Sequence, residues 1–369
     1  MNFKQAQSKL SSRENTCKEI SDYYLNNYKK FNDNYRLVVT LNKTLEKDVA
    51  LLDYEKKGGH SRSFLHGIPL LVSDFIDLKG ETTTAGIKLL ENNIAKTSAN
   101  IVRKLKQNGL LIYGKTNSYE LANLTDLEEL FYYPRNEENE VCNGLALAIY
   151  KDLAPAGLDV CIDGYLLKHA SNLNLSALKI TPNLINNEGL ILPSKSSSLG
   201  LVGHDVLDLA FLLNIVKSDK KSEALYGSVH NYVKDILIDP FNYQLGTTDK
   251  DLKFYKDIGL KIKSVAPKYK QKEEVINLDE VLCVNSGKTY QRTIYSLDAY
   301  LKLNRLDAII FDKYETAFAT LVNPILTITV SDLVYTKTIF IVAHTYNEDK
   351  LLAIGEYIKR EYPLKIESK

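Results

Sequence analysis

The sequence predicts an α/β protein, and three observations carry that prediction. A helical stripe at Ile101, Val102 and Leu105 ends at Gly109 and runs straight into a short apolar stretch, LLIYG, the rhythm of alternating helix and buried strand. Apolar runs of strand length recur downstream, in RLDAIIF, LVNPILTITV and KTIFIVAH. No apolar run reaches the roughly 18 residues that a membrane helix needs, which leaves a globular fold.

The elements follow in chain order. Cys17, Ile20, Tyr24 and Tyr28 recur at helical spacing, so residues 13–31 are expected to form a surface helix, and residues 45–54 a second. KKGGHSRS, residues 56–63, breaks the pattern with Gly-Gly and reads as a loop before the main sheet. HGIPLLVSDFIDLKG then has the apolar run of a buried strand and a turn at Lys79-Gly80. Ser98 is the expected N-cap of the next helix and Gly109 its C-terminal stop. HDVLDLAFLLNIV has helical spacing at Val206, Leu209, Leu212 and Leu213, and residues 347–362 read as a closing helix capped by Asn347. Residues 218–300 are polar and are expected to supply helices and connections.

Composition narrows the function classes. Among 369 residues, 47 Lys and Arg face 46 Asp and Glu, for a net charge of +1, so no global field exists to hold nucleic acid or a membrane surface. Cys17, Cys142, Cys161 and Cys283 fit neither a disulfide framework nor a zinc site, and the histidines lack paired spacing, so neither metal nor cofactor is expected. The polar start MNFKQAQSKL lacks the apolar core of a signal peptide; a soluble, cytoplasmic protein is the expectation.

Residues 66–122 carry a more specific signal. His66-Gly67-Ile68-Pro69, Asp74 with Gly80, Thr83-Thr84-Ala85-Gly86, and Gly114-Lys115-Thr116-Asn117 with Glu120 follow one another without a gap. In that order and spacing they are similar to the strand, TTAG loop, helix and GKTN turn of the amidase signature family. The likeness continues through ALKITPNL, SKSSSLGLVGHD and the closing strands and helix, over roughly residues 35–360, with a shortened middle at about 218–300. The resemblance implies an amidase signature fold, an α/β/α sandwich around a large mixed β-sheet. It divides the chain into a helical lead-in, residues 1–62, and an amidase-like core, residues 63–369. A homodimer is common for such a fold.

The resemblance also says where chemistry should sit. Family members cleave C–N amide bonds with a serine nucleophile, a second serine that relays its proton, and a lysine kept neutral as base. A hydroxyl needs such a base within hydrogen-bond reach, and an ammonium serves only if its surroundings lower its pKa. Val72-Ser73-Asp74-Phe75 places Ser73 where the lysine belongs. Residues 136–148, NEENEVCNGLALA, place Val141 or Cys142 at the relay serine. Residues 157–171, GLDVCIDGYLLKHAS, place Asp163 or Tyr165 at the nucleophile, depending on which flank anchors the match.

All three groups are thus expected to be missing, and losses of this kind cost many orders of magnitude in rate. The primary expectation is an inactive amidase-fold protein that holds an amide-like small molecule or a protein partner. Lys115, Asn117, Asp163 and Gly164 are its candidate ligand contacts. The alternative is an active amidase, or an amidotransferase A-like subunit, with displaced catalytic residues. Cys142 or Cys161 with Lys168 or His169 would be such a displaced set; as small core residues and a structural histidine they have a plainer reading. SKSSSLG, residues 194–200, lacks the lysine spacing of a phosphate loop and reads as a loop near the cleft.

Overall fold

Strands PLLVS, LIYGKT and AGLDVC are apolar almost throughout and buried at every residue. Continuous burial of this kind means that both faces of a sheet are covered. The structure, a computed structural model, describes residues 1–117, 134–135, 140–162, 164–217, 231–265, 268–271, 274–277, 296–315, 318, 321–331 and 336–363.

In chain order the elements are α1 (Phe3–Ser11), α2 (Cys17–Tyr35), β1 (Val38–Leu41), α3 (Leu45–Lys57), β2 (Pro69–Ser73), α4 (Asn100–Gln107) and β3 (Leu111–Thr116). Then come α5 (Gly144–Tyr150), β4 (Ala156–Cys161), α6 (Tyr165–Asn172), β5 (Ser176–Lys179), β6 (Ser198–Gly203), α7 (Val206–Lys217), α8 (Tyr232–Asp235), β7 (Leu245–Thr247), α9 (Leu252–Lys256) and β8 (Ile262–Ser264). A separate hairpin, β9 (Lys268–Gln271) and β10 (Glu274–Asn277), precedes α10 (Ser296–Leu303), β11 (Ala308–Phe311), β12 (Ile325–Ser331), β13 (Thr336–Ala343) and α11 (Glu348–Glu361).

Eleven strands form one mixed sheet in the order β1-β3-β2-β4-β6-β5-β12-β13-β11-β7-β8. β3, β2 and β4 run parallel, as do β11, β7 and β8. The strands from β4 across to β11 alternate in direction. Two glycines on β6 show how the layers stack. A Cβ on Gly200 would meet Leu166 of α6 at 2.2 Å, and one on Gly203 would meet Asp208 of α7 at 2.8 Å. Three residues apart on a strand, they face opposite sides. So α6 covers one face, with α5 beside it, since Gly157 on β4 abuts Leu145 and shares the face of Asp159. α7 and α11 cover the other, where Gly355 lets α11 approach Leu326 and Val206.

The expected helices and strands are present, with three local corrections. The N-cap of α4 is Ala99, not Ser98, because Ser98 Oγ instead accepts from the Lys79 amide (3.0 Å) and holds the Lys79-Gly80 turn. Asn347 occupies the N-cap of α11 without capping it, since its side-chain amide donates to the Thr345 carbonyl (3.1 Å). Residues 218–300 contain more than helices and connections: β7 pairs parallel with β11 and β8 pairs parallel with β7, so both extend the sheet.

Candidate functional site

β2, β3 and β4 run parallel, so their carboxyl ends lie on one side of the sheet, where open α/β sheets place their ligand sites. Ser73 ends β2 opposite Thr116 of β3, and Val72 pairs with Leu158 of β4. Two buried polar clusters gather here.

The first is an ion pair. Lys115 Nζ lies 2.8 Å from Asp74 Oδ1, and both side chains are fully buried. The ammonium also donates to the Thr82 carbonyl (2.6 Å) and to Thr83 Oγ1 (2.8 Å). Burial lowers its pKa while Asp74 pulls the other way. Asp74 Oδ2 accepts from both the amide and the hydroxyl of Thr84. The TTAG loop is thereby fastened to β2 and β3, and Lys115 spends its donors on this task. Asn117, also buried, follows β3; its amide N–H donates to the Leu37 carbonyl (2.8 Å) and its side chain to the Arg36 carbonyl (3.3 Å).

The second cluster centres on Asn143, at the N-cap of α5. Its Oδ1 accepts from the Ala146 amide (2.9 Å), Nδ2 donates to Asp159 Oδ2 (2.8 Å), and its backbone N–H donates to His169 Nδ1 (2.8 Å). Asp159 Oδ1 takes the Val160 amide (2.7 Å). Burial raises the Asp159 pKa, and hydrogen bonds from the Asn143 side chain and the Val160 amide oppose that rise. Gly144 must be glycine here: a Cβ would stand 2.5 Å from the Asn117 carbonyl oxygen. Asn143 therefore joins β4, α5 and α6 behind the strand ends.

His169 is pushed down to about 4, by burial first and by Lys168 second, so its ring is neutral. Because Nδ1 accepts, the proton resides on Nε2. Tyr165 opens α6 and stacks on this ring at 5.6 Å. Gly164 precedes it with φ +82°, and a Cβ there would come within 2.9 Å of the Tyr314 hydroxyl. Val141 is partly buried and bridges to Arg135, and burial pushes the neighbouring Cys142 thiol up to about 12. Lys179, fully buried, is brought down to about 8 by burial, against a pull from Cys161, and donates to the Leu321 carbonyl. Asp163, Glu120 and Cys283 lie outside the described residues.

Of the sequence-predicted positions, the structure gathers Ser73, Asp74, Lys115 and Asn117 at the ends of β2 and β3, and sets Tyr165 on His169. Asn143 and Asp159, which hold the second cluster, are not among the site residues that sequence reasoning finds. A signal for Asn143 does exist: it stands directly before the apolar run GLALAIY, an N-cap pattern. Among the described residues no three His, Cys, Asp or Glu side chains gather to hold a metal ion, and no helix is long and apolar enough to cross a membrane.

Comparison with known proteins bears on this arrangement. Residues 19–139 match the family model described as Amidase. The A-type subunit of the glutamyl-tRNA(Gln) amidotransferase of Nitrosomonas eutropha is 27% identical over 244 residues, covering 63% of this chain and 50% of the relative. Its counterpart of the same name from Acinetobacter baylyi is 30% identical over 251 residues, covering 62% and 48%. The chain thus spans about half the length of these curated relatives. Among solved structures, the peptide amidase of Stenotrophomonas maltophilia superposes with a TM-score of 0.80 at 18% identity, over 99% of this chain and 98% of that one. An amidase family protein from Bacillus anthracis gives 0.77 at 16%, over 99% and 92%. Residues 19–139 thus carry the match to the Amidase family model, and the 11-stranded mixed sheet has the fold of these amidase structures, so the findings together support a member of the amidase signature family.

Proposed function

We propose that this chain uses an amidase fold to hold an amide-like ligand or a protein partner, as a soluble cytoplasmic protein, without cleaving C–N bonds itself. One observation carries the reading: the basic groups around the strand ends have their lone pairs or protons committed elsewhere. His169 gives its lone pair to the Asn143 amide, and the Lys115 ammonium is locked to Asp74. Ser73, at the position where the family resemblance puts the base, is a buried hydroxyl beside Asp159. Both oxygens of that carboxylate already accept, from Asn143 Nδ2 and from the Val160 amide, and a hydroxyl without an uncommitted base is a poor nucleophile. The partner role draws support from relatives that are named as subunits of an amidotransferase.

A second reading is favoured by those same names: amide C–N hydrolysis, or an A-type amidotransferase subunit, with displaced catalytic groups. The relatives favour this second reading and the side-chain geometry favours the first. One experiment separates them. Purified chain is incubated with primary amides, including acetamide and L-glutamine, and ammonia release is measured alongside labelling by a fluorophosphonate probe. The first reading expects neither ammonia above the blank nor a labelled serine. Turnover that disappears in Ser73→Ala or Tyr165→Ala overturns it in favour of the second.

A further inference from the structure

The turn after α8 and the short 3-10 turn Pro240–Asn242 that follows it expose three large apolar side chains within five residues: Leu237 at 71%, Ile238 at 53% and Phe241 at 43%. Among the described residues no other stretch of that length exposes three. The patch is held stiffly. The Leu237 and Ile238 amides donate to the Lys234 and Asp235 carbonyls (3.1 and 3.0 Å), while Tyr232, Ile236 and Pro240 of the same segment are buried and anchor it. The Phe241 ring meets Tyr357 of α11 edge-on at 5.3 Å, and a Cβ on Gly259 would stand 3.4 Å from the same ring. A fixed surface loses little conformational freedom when it is covered, so little of the gain from covering it is offset.

Size and charge say what covers it. The three side chains expose roughly 250 Å² of apolar area, about a third of what one partner contributes to a standard interface. An apolar centre of that size is completed by a polar rim. The rim is present and carries both signs: Arg360 bridges to Asp239 at 2.7 Å and to Glu361 at 3.6 Å, and exposed Lys234 lies one turn before Leu237. Two bases and two acids leave no local field to attract a strongly acidic or basic partner. They suit a second copy, since in a two-fold contact the same patch faces itself and each charge can meet its opposite. The whole chain carries a net charge of +1, so two copies barely repel. We propose that this surface joins two copies of the chain in an isologous dimer, with Leu237, Ile238 and Phe241 at its centre and the four charged side chains around them. The contact uses none of the strand-end residues and is independent of whether amides are held or cleaved there.

Sedimentation velocity on the full chain, at loadings from about 1 to 100 μM, tests it. A reversible monomer–dimer equilibrium that stops at two copies is expected, because an isologous contact closes on itself. Leu237→Glu with Ile238→Glu sets like charges against each other across the axis and is expected to weaken the dimer by about tenfold or more. Leu237→Ser with Ile238→Ser removes the apolar area without adding charge and is expected to weaken it as well. Both side chains are exposed, so each variant should melt close to the wild type at low concentration. Leu89→Glu with Ile94→Glu, at two exposed apolar positions elsewhere, is the control and is expected to leave the dimer intact. A chain that stays monomeric throughout, as a surface reserved for a different protein would leave it, overturns the proposal. So do assemblies that keep growing past two copies, an undiminished dimer in either variant at 237 and 238, or a dimer broken by the control. The readout is mass, so its failure is separate from any result on ammonia release.

Discussion

At the scale of single residues, Asn143 and His169 carry more than their neighbours. Asn143→Ala removes the cap of α5 and takes from Asp159 Oδ2 the amide that donates to it inside a fully buried site. Losing a cap costs about 1 kcal/mol and depriving a buried carboxylate oxygen of its donor about 1–3, so a loss of roughly 2–4 kcal/mol is expected in urea unfolding. His169 links stability to pH. Its folded pKa of about 4 lies below the reference 6.5, so between those values the unfolded chain binds a proton that the native chain refuses. Stability therefore falls as pH drops through that window and levels off below about 4. Asp208, raised to about 7 by burial, acts in the opposite sense between pH 3.8 and 7. The His169 effect is isolated by difference: the stability gap between the wild type and His169→Phe should narrow by up to about 3 kcal/mol from pH 7 to pH 4. A gap independent of pH would mean that the ring titrates normally. Neither role can be read from spacing alone, because Asn143 and His169 are 26 residues apart and meet only when α5 and α6 pack together.

At the scale of elements, the lead-in and the core share a boundary that the sheet crosses. β1 belongs to residues 1–62 yet pairs antiparallel with β3 and covers that strand's outer edge. Asn42 adds two bonds to the same strand, from its amide to the Tyr113 carbonyl (2.9 Å) and from its side chain to the Ile112 carbonyl (2.7 Å). Cys17 of α2 presses on Gly67, where a Cβ would meet its sulfur at 2.4 Å. We propose that residues 1–62 serve as a lead-in that seals the edge of the core and not as a separable unit. A chain of residues 63–369 would bare the β3 edge and is expected to aggregate in size-exclusion chromatography. A monomeric, cooperatively melting truncation would show the lead-in to be dispensable. β1 is not legible in the sequence, since VVTL is four residues long and only Val38 is fully buried.

At the scale of the whole molecule, the sheet continues to β8 through strands of three residues, and β8 is exposed at Lys263 and Ser264. Such strands have no periodicity to detect; parallel pairing, of β7 with β11 and of β8 with β7, makes them strands. The family resemblance and the α/β class are written in the residue order itself, because the HGIP, TTAG and GKTN segments follow one another at fixed spacing within residues 66–117. So are the long helices, whose apolar stripes are periodic and one of which, α4, is closed by a glycine. Which lone pairs and protons are free is a different matter, settled by packing alone. Whether His169 accepts or donates, and whether Lys115 is available or bound, depends on partners brought close from distant parts of the chain. Hydrogen bonds act over about 3 Å, and residue order does not specify distances of that kind between separate elements.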